Sequence, residues 1–196
     1  MRKMSWGVLV TTLLVAGVVM DAQERPASPA GVAATQVGVN WIEIAYGRPI
    51  LRGRTNIFGS GADYGKKLND GSPIWRAGAN ETTLLRSPVP LEIGGTRVPA
   101  GDHALLIDLK APREWIVVVS AQPYQRTYDE RNTVALWGGF NYTPARDVVR
   151  APMTVETIPF SIAQLTWGFT DVTPAGGTLR IWWDTTMASI PFKILR

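Results

Sequence analysis

The chain has 196 residues, no cysteine, one histidine, and 20 Lys and Arg against 16 Asp and Glu, a formal net charge of +4. The absence of cysteine excludes disulfides, thiol nucleophiles, thiolate zinc sites and iron–sulfur clusters, and the lone histidine, His103, excludes a multi-histidine metal centre. So small a positive surplus is no nucleic-acid-binding field, and no nucleic acid, metal or cofactor is expected.

Arg2 and Lys3 precede an uncharged apolar run from Trp6 to Met20, followed by Asp21-Ala22-Gln23. Basic start, short apolar stretch and a small residue before the cut make residues 1–22 a signal peptide of an exported protein, periplasmic or secreted. An uncleaved anchor is the alternative, although the run falls short of the roughly 20 residues needed to cross a bilayer. Residues 23–31 (QERPASPAG) are polar and Pro-rich and read as a flexible tether. Residues 32–196 then form one domain, soluble and free of the membrane after cleavage, with no lipid-modified cysteine. Without Arg2, Lys3 and Asp21 the basic and acidic counts are 18 and 15, and 14 of the 18 are Arg. Arginine supplies fixed, bidentate donors for carboxylates and phosphates. Structural ion pairs account for such a bias as readily as ligand binding does.

Along the domain, apolar residues alternate in short runs. Strands are expected at Trp41–Tyr46, with Ile42, Ile44 and Tyr46 on one face, then at 83–87, 91–93, 103–109 and 114–120. Further runs follow at 153–158, 160–165, 178–183 and 189–194. Turn signals separate them, and the Gly94-Gly95 pair is suited to a two-residue hairpin. Several short strands with frequent turns predict an all-β, antiparallel two-sheet sandwich, jelly-roll or immunoglobulin-like. Two segments do not read as strands. Residues 59–71 are a long Gly-rich loop, functional or mobile, and residues 122–131 hold a short helix or a long connection.

No Walker-type phosphate loop, G-x-S-x-G elbow or H-E-x-x-H is present, and any Ser-His-Asp triad would have to use His103, which reads as a partly exposed strand-end residue. The densest polar cluster runs from Trp75 to Thr83 (WRAGANETT), with a basic stretch, Tyr46 to Arg54 (YGRPILRGR), before it. Pro49 and Gly53 break that stretch and place Arg48 and Arg54 on a strand rim. Trp41, Trp115 and Trp183 lie in strands and are expected in the core, whereas Trp75 and Trp137 adjoin Gly-rich turns and suit an exposed platform.

These motifs, Y-x-R-P-x-x-x-G-R, W-R-x-G-A-N-E-x-T and the P-A-G turn at Pro99–Gly101, resemble the bacterial domain-of-unknown-function family numbered twenty-nine eleven. Trp115, Trp137-Gly138 with Tyr142, and Leu179, Trp183 and Ser189–Phe192 extend the resemblance over nearly the whole mature chain. It implies an exported bacterial protein with no established activity. Where that family usually has Thr-Tyr after the P-A-G turn, this chain has Asp102-His103, so no role of that tyrosine carries over.

Two readings of the cluster stand side by side. In one, Arg48, Arg54 and Arg76 donate to an anionic or hydroxylated ligand such as a saccharide, Asn80 and Glu81 orient it, and Trp75 is a stacking floor. In the other, Arg76 and Glu81 form a buried pair that pins a crossover between the sheets, with Asn80 capping a turn. At the level of function these give a non-enzymatic binding module or an envelope structural or interaction protein. A carboxylate-dependent hydrolase, glycosidase-like, would need Glu81 opposed by Asp63, Asp147 or Glu43.

Overall fold

The computed structural model of the chain describes residues 27–195, so the expected signal peptide, its cleavage site and residues 23–26 of the tether lie outside the described residues. β1 (Ala30–Val37) and β2 (Asn40–Gly47) open the fold as an antiparallel hairpin, paired from Ala30 opposite Gly47 to Val37 opposite Asn40. Ala30 and Gly31, the last positions but one and last of the expected tether, are therefore strand. β1 is not among the strands expected, because AGVAATQV carries no apolar alternation and only Val37 is fully buried. In β2 the period of two turns Ile42, Ile44 and Tyr46 inward and leaves Trp41 on the other face, 54% exposed. Trp41 is thus a surface residue and not part of the core.

β3 (Leu84–Ser87), β6 (Gly101–Ala111), β7 (Glu114–Ser120) and β8 (Asp147–Pro152) extend this hairpin into a six-stranded sheet of order β1-β2-β3-β6-β7-β8. β4 (Leu91–Ile93), β5 (Thr96–Val98), β9 (Thr154–Thr173) and β10 (Gly176–Ile194) make the second, of order β5-β4-β10-β9. Every pairing is antiparallel. The domain is the expected all-β two-sheet sandwich. Gly94-Gly95 turns β4 into β5 with φ of 59° and 77°, the doubly left-handed geometry that only glycine adopts freely.

The four runs expected in the last third merge into two long strands. Their register shifts between Trp182 and Asp184 and again between Asp184 and Thr186, opposite the stretch that carries Pro159. A proline cannot donate to the ladder, so it falls at an irregularity in the pairing and does not end the strand. Asp184 takes up the kink with φ of 52°. The expected Gly-rich loop over 59–71 contains a 3-10 turn, Gly61–Asp63, and one turn of helix, α1 (Lys66–Asn69). The segment 122–131 is a connection without helix.

Between the sheets the large aromatics meet. Trp75 stacks on Trp183 with centroids 6.4 Å apart and planes 13° from parallel, and meets Trp115 edge-on at 6.0 Å. Phe58 closes the group at 5.0 Å from Trp115. Trp115 and Trp183 are core residues as expected. So is Trp75, only 1% exposed, which corrects its expected place on a platform.

Candidate functional site

The segment from Trp75 to Thr83 is held from several sides. Trp75 exchanges backbone hydrogen bonds with Ile107 of β6, its N–H donating at 3.1 Å and its carbonyl accepting at 2.9 Å. The indole N–H of Trp167 on β9 donates to the Ala77 carbonyl at 2.9 Å, and the backbone N–H of Trp167 donates to the Tyr46 hydroxyl, also at 2.9 Å. Ala77 and Asn80 adopt left-handed backbone, φ of 49° and 63°. Such a conformation costs a non-glycine residue about 1–2 kcal/mol, so it persists because the surrounding contacts impose it.

Arg76 is the hub. Its side chain is only 11% exposed, its Nη1 donates to the Asn80 carbonyl at 2.8 Å, and its Nη2 lies 3.5 Å from Asp70. The guanidinium also sits 5.8 Å from the centroid of Phe140. Gly138 makes room for it, since a Cβ there would lie 2.8 Å from the guanidinium carbon. Burial pushes the Arg76 pKa below its ordinary value and Asp70 opposes the shift; an arginine remains charged nonetheless. The carboxylate partner is therefore Asp70 and not Glu81. The left-handed turns at Ala77 and Asn80 carry the chain around, and Glu81 emerges exposed on another side.

Beside Arg76 opens a cleft of about 490 Å³. Arg52, Arg54, Lys67 and Arg76 line it, with Asp70 as its sole carboxylate and Asn80 at its edge. The turn after β2, the α1 segment and the Trp75–Asn80 run build most of it, with Ala27, Ser28 and Trp183 completing the lining. Arg54 donates to the carbonyls of Leu51 and Ile50 at 3.1 and 2.8 Å, and its guanidinium lies 5.7 Å from the Trp183 ring centroid. Its charge is thus anchored, with no carboxylate paired to it among the described residues. Arg52 and Lys67 form no ion pair among the described residues. The indoles of Trp75 and Trp183 back the cleft but are 1% and 3% exposed, so they support its wall and offer no stacking face.

Of the six candidates, Arg54, Trp75, Arg76 and Asn80 come together here, while Arg48 and Glu81 do not. Arg48 clips β9, its Nη2 donating to the Thr166 hydroxyl at 3.3 Å. Glu81 lines a different cleft of about 500 Å³ with Arg86, Tyr124 and Arg126, in which it is the sole carboxylate among the lining residues. Asp63 pairs with Lys66 at 3.0 Å, and Asp147 accepts from Tyr142 at 2.6 Å and from Arg150 at 3.1 Å. Glu43, the third carboxylate named beside Glu81, lies opposite Arg86 of the Glu81 cleft in the β2–β3 register, and Asp102 contacts that Arg86 at 3.5 Å and accepts from the cleft's Tyr124 at 3.1 Å. Sequence reasoning missed Arg52, Lys67 and Asp70. The signal was faint: Arg52 stands within the flagged basic stretch, and the other two within the flagged Gly-rich loop.

His103 is 7% exposed, not partly exposed, because β6 is an interior strand and Leu85 of β3 lies opposite it. Desolvation lowers its pKa below 6.5, opposed by a backbone hydrogen bond at Gly101 and by Asp102. The folded state therefore favours the neutral ring. Below pH 6.5 the unfolded chain takes up a proton that the folded chain resists, so stability falls with pH until the lowered folded pKa is reached. Urea unfolding across this acid range should show that slope in the wild type and a flatter curve in His103→Gln. An identical slope in both would contradict it.

The family described as "protein of unknown function (DUF2911)" matches residues 28–192. No curated protein and no solved structure matches the chain. The chain belongs to the DUF2911 family.

Proposed function

We propose that this DUF2911 protein is an exported binding module that takes a small anionic ligand, an acidic saccharide among the possibilities, in the Arg52–Arg54–Lys67–Arg76 cleft, without transforming it. One observation carries the reading: four cationic side chains surround a single cleft that contains one carboxylate. Like charges held together in a concave site repel one another, and an anion relieves that repulsion. Arg76 is fixed by Asn80 and Asp70 and Arg54 by two carbonyls, so binding would immobilise few side chains. The buried indoles argue against a purely stacking ligand and favour charge recognition.

A thermal-shift screen of the purified protein against trigalacturonate, citrate and inorganic phosphate tests this. A ligand at a hundredfold excess over its Kd stabilises by about 2.7 kcal/mol, roughly 5–10 °C for a domain of this size. The double variant Arg52→Glu, Lys67→Glu should keep its melting temperature without ligand, because both side chains are surface groups with no ion-pair partner among the described residues, and should lose the ligand-induced rise. Export has its own check. The N-terminal sequence of the secreted product should begin at Gln23 or Glu24; retention of Met1 in the mature protein would contradict cleavage.

A further inference from the structure

The long connection between β7 and β8 holds a second concave site that the cationic cleft does not use. Tyr128, Trp137 and Phe140 line a pocket of about 330 Å³ together with Glu130, Asn132 and Thr133. Tyr128 is 59% exposed and Phe140 38%, while Trp137 is half-buried. Tyr128 and Trp137 lie against each other, centroids 5.5 Å apart and planes inclined at 45°. The backbone that carries these aromatic groups is fixed.

Side-chain amides hold that backbone. Gln122 donates to the carbonyls of Val134 and Asn141 at 2.8 and 2.7 Å and accepts from the Thr143 N–H at 3.0 Å. Gln125 donates to Asn132 and Ala135 carbonyls at 3.0 and 3.2 Å, and Asn132 accepts from the N–H groups of Val134 and Ala135. The Trp137–Phe140 turn closes with the Phe140 N–H on the Trp137 carbonyl at 3.0 Å. The rings therefore sit on a preorganised frame, the condition under which contact area converts into affinity.

The chemistry of the lining selects the ligand class. Both oxygens of Asp129 are taken by Arg131, whereas Glu130 and Thr133 have no hydrogen-bond or ion-pair partner among the described residues. A free carboxylate repels an anion, so this pocket suits a different ligand from the cationic cleft. A quaternary ammonium group needs ring faces arranged around a common centre, each within about 6 Å. Tyr128 and Trp137 instead touch each other, and Phe140 is already engaged by the Arg76 guanidinium. What remains is an open aromatic platform with free hydroxyl and carboxylate groups beside it.

We propose that this platform binds a neutral pyranose ring, the sugar's C–H face resting on Trp137 and Tyr128 and its hydroxyl groups bonding to Glu130 and Thr133. The aromatic face supplies apolar contact to the ring carbons, and the polar rim supplies orientation.

Isothermal titration of the protein with cello-, manno-, xylo- and chitohexaose tests the assignment. At least one should bind, with an affinity that barely changes with salt. Tyr128→Ala should weaken it roughly tenfold or more, and Trp137→Phe should bind better than Trp137→Ala. Tyr128 makes no hydrogen bond among the described residues, so its variant keeps the frame even if Trp137→Ala does not. Arg52→Glu with Lys67→Glu should leave this binding unchanged, which separates it from the cationic cleft. Failure of all four sugars to bind at millimolar concentration overturns the proposal. So does unchanged affinity in Tyr128→Ala, or binding of tetramethylammonium that Tyr128→Ala abolishes while no sugar binds.

Discussion

Trp75→Ala is expected to cost about 3–5 kcal/mol of folding stability. Trp75 is 1% exposed and packs simultaneously on Trp183, Trp115 and Phe58. Alanine leaves a cavity among three rings that are themselves fixed by neighbouring strands, so the surroundings collapse little. Domains are stable by only about 5–15 kcal/mol in total, and at about 2–4 °C per kcal/mol the melting temperature should fall by roughly 6–20 °C. Urea unfolding gives the free energy directly. Trp41→Ala is the control, since Trp41 is 54% exposed on β2 and its removal should change stability by less than about 0.5 kcal/mol. Equal losses in the two variants would contradict the assignment of Trp75 to the core.

Gly47→Ala is expected to destabilise the fold for a different reason. A methyl group at Gly47 would collide with the carbonyl oxygen of Ala79, and its carbonyl carbon would lie 2.8 Å away. Both obstacles are backbone, in a segment already tied to Trp167 and Ile107, so neither yields as a side chain would. Overpacking of this kind costs about 1–3 kcal/mol and occasionally more. The shift should also displace Asn80 and its carbonyl, on which Arg76 depends, and so weaken ligand binding beyond the loss of stability. Gly53→Ala provides the comparison. Gly53 has φ of 76° with nothing within 4 Å of an added Cβ, so its cost is conformational alone, about 1–2 kcal/mol. A Gly47→Ala variant with the wild-type melting temperature would show that the close approach at Gly47 matters less than its geometry implies.

Much of the sandwich was legible because its central strands obey the simplest rule. β2, β6 and β7 alternate or run apolar without interruption, and the Gly94-Gly95 turn has a sequence that few other conformations use. β1 and β8 escaped notice because they are the two half-covered edges of their sheet, and their small apolar residues form no clear alternation. Trp41 was misplaced by residue type, although the face assigned to Ile42, Ile44 and Tyr46 already put it opposite.

The cleft was legible only in part, and Arg76 shows why. The nearest ionic partner in the chain after it is Glu81, but two left-handed residues intervene, Ala77 and Asn80, and nothing in their side chains announces that geometry. Asp70 reaches Arg76 instead by way of a one-turn helix in a loop with no apolar periodicity. Arg52 and Lys67 converge on the same cleft from separate segments. Such convergence is a property of the packed sheets and has no local signature.

The proposed anion site rests on Arg52, Arg54 and Lys67, none of which has an ion-pair partner among the described residues, beside the Asp70-paired Arg76. The most direct measurement is isothermal titration of trigalacturonate, citrate and inorganic phosphate into the wild type and into Arg52→Glu, Lys67→Glu at low and high salt. At least one anion should bind the wild type, more weakly as salt screens the cleft, and at least about tenfold more weakly in the variant. Contradiction would come from the absence of binding by all three anions at low salt, or from equal affinity in the variant.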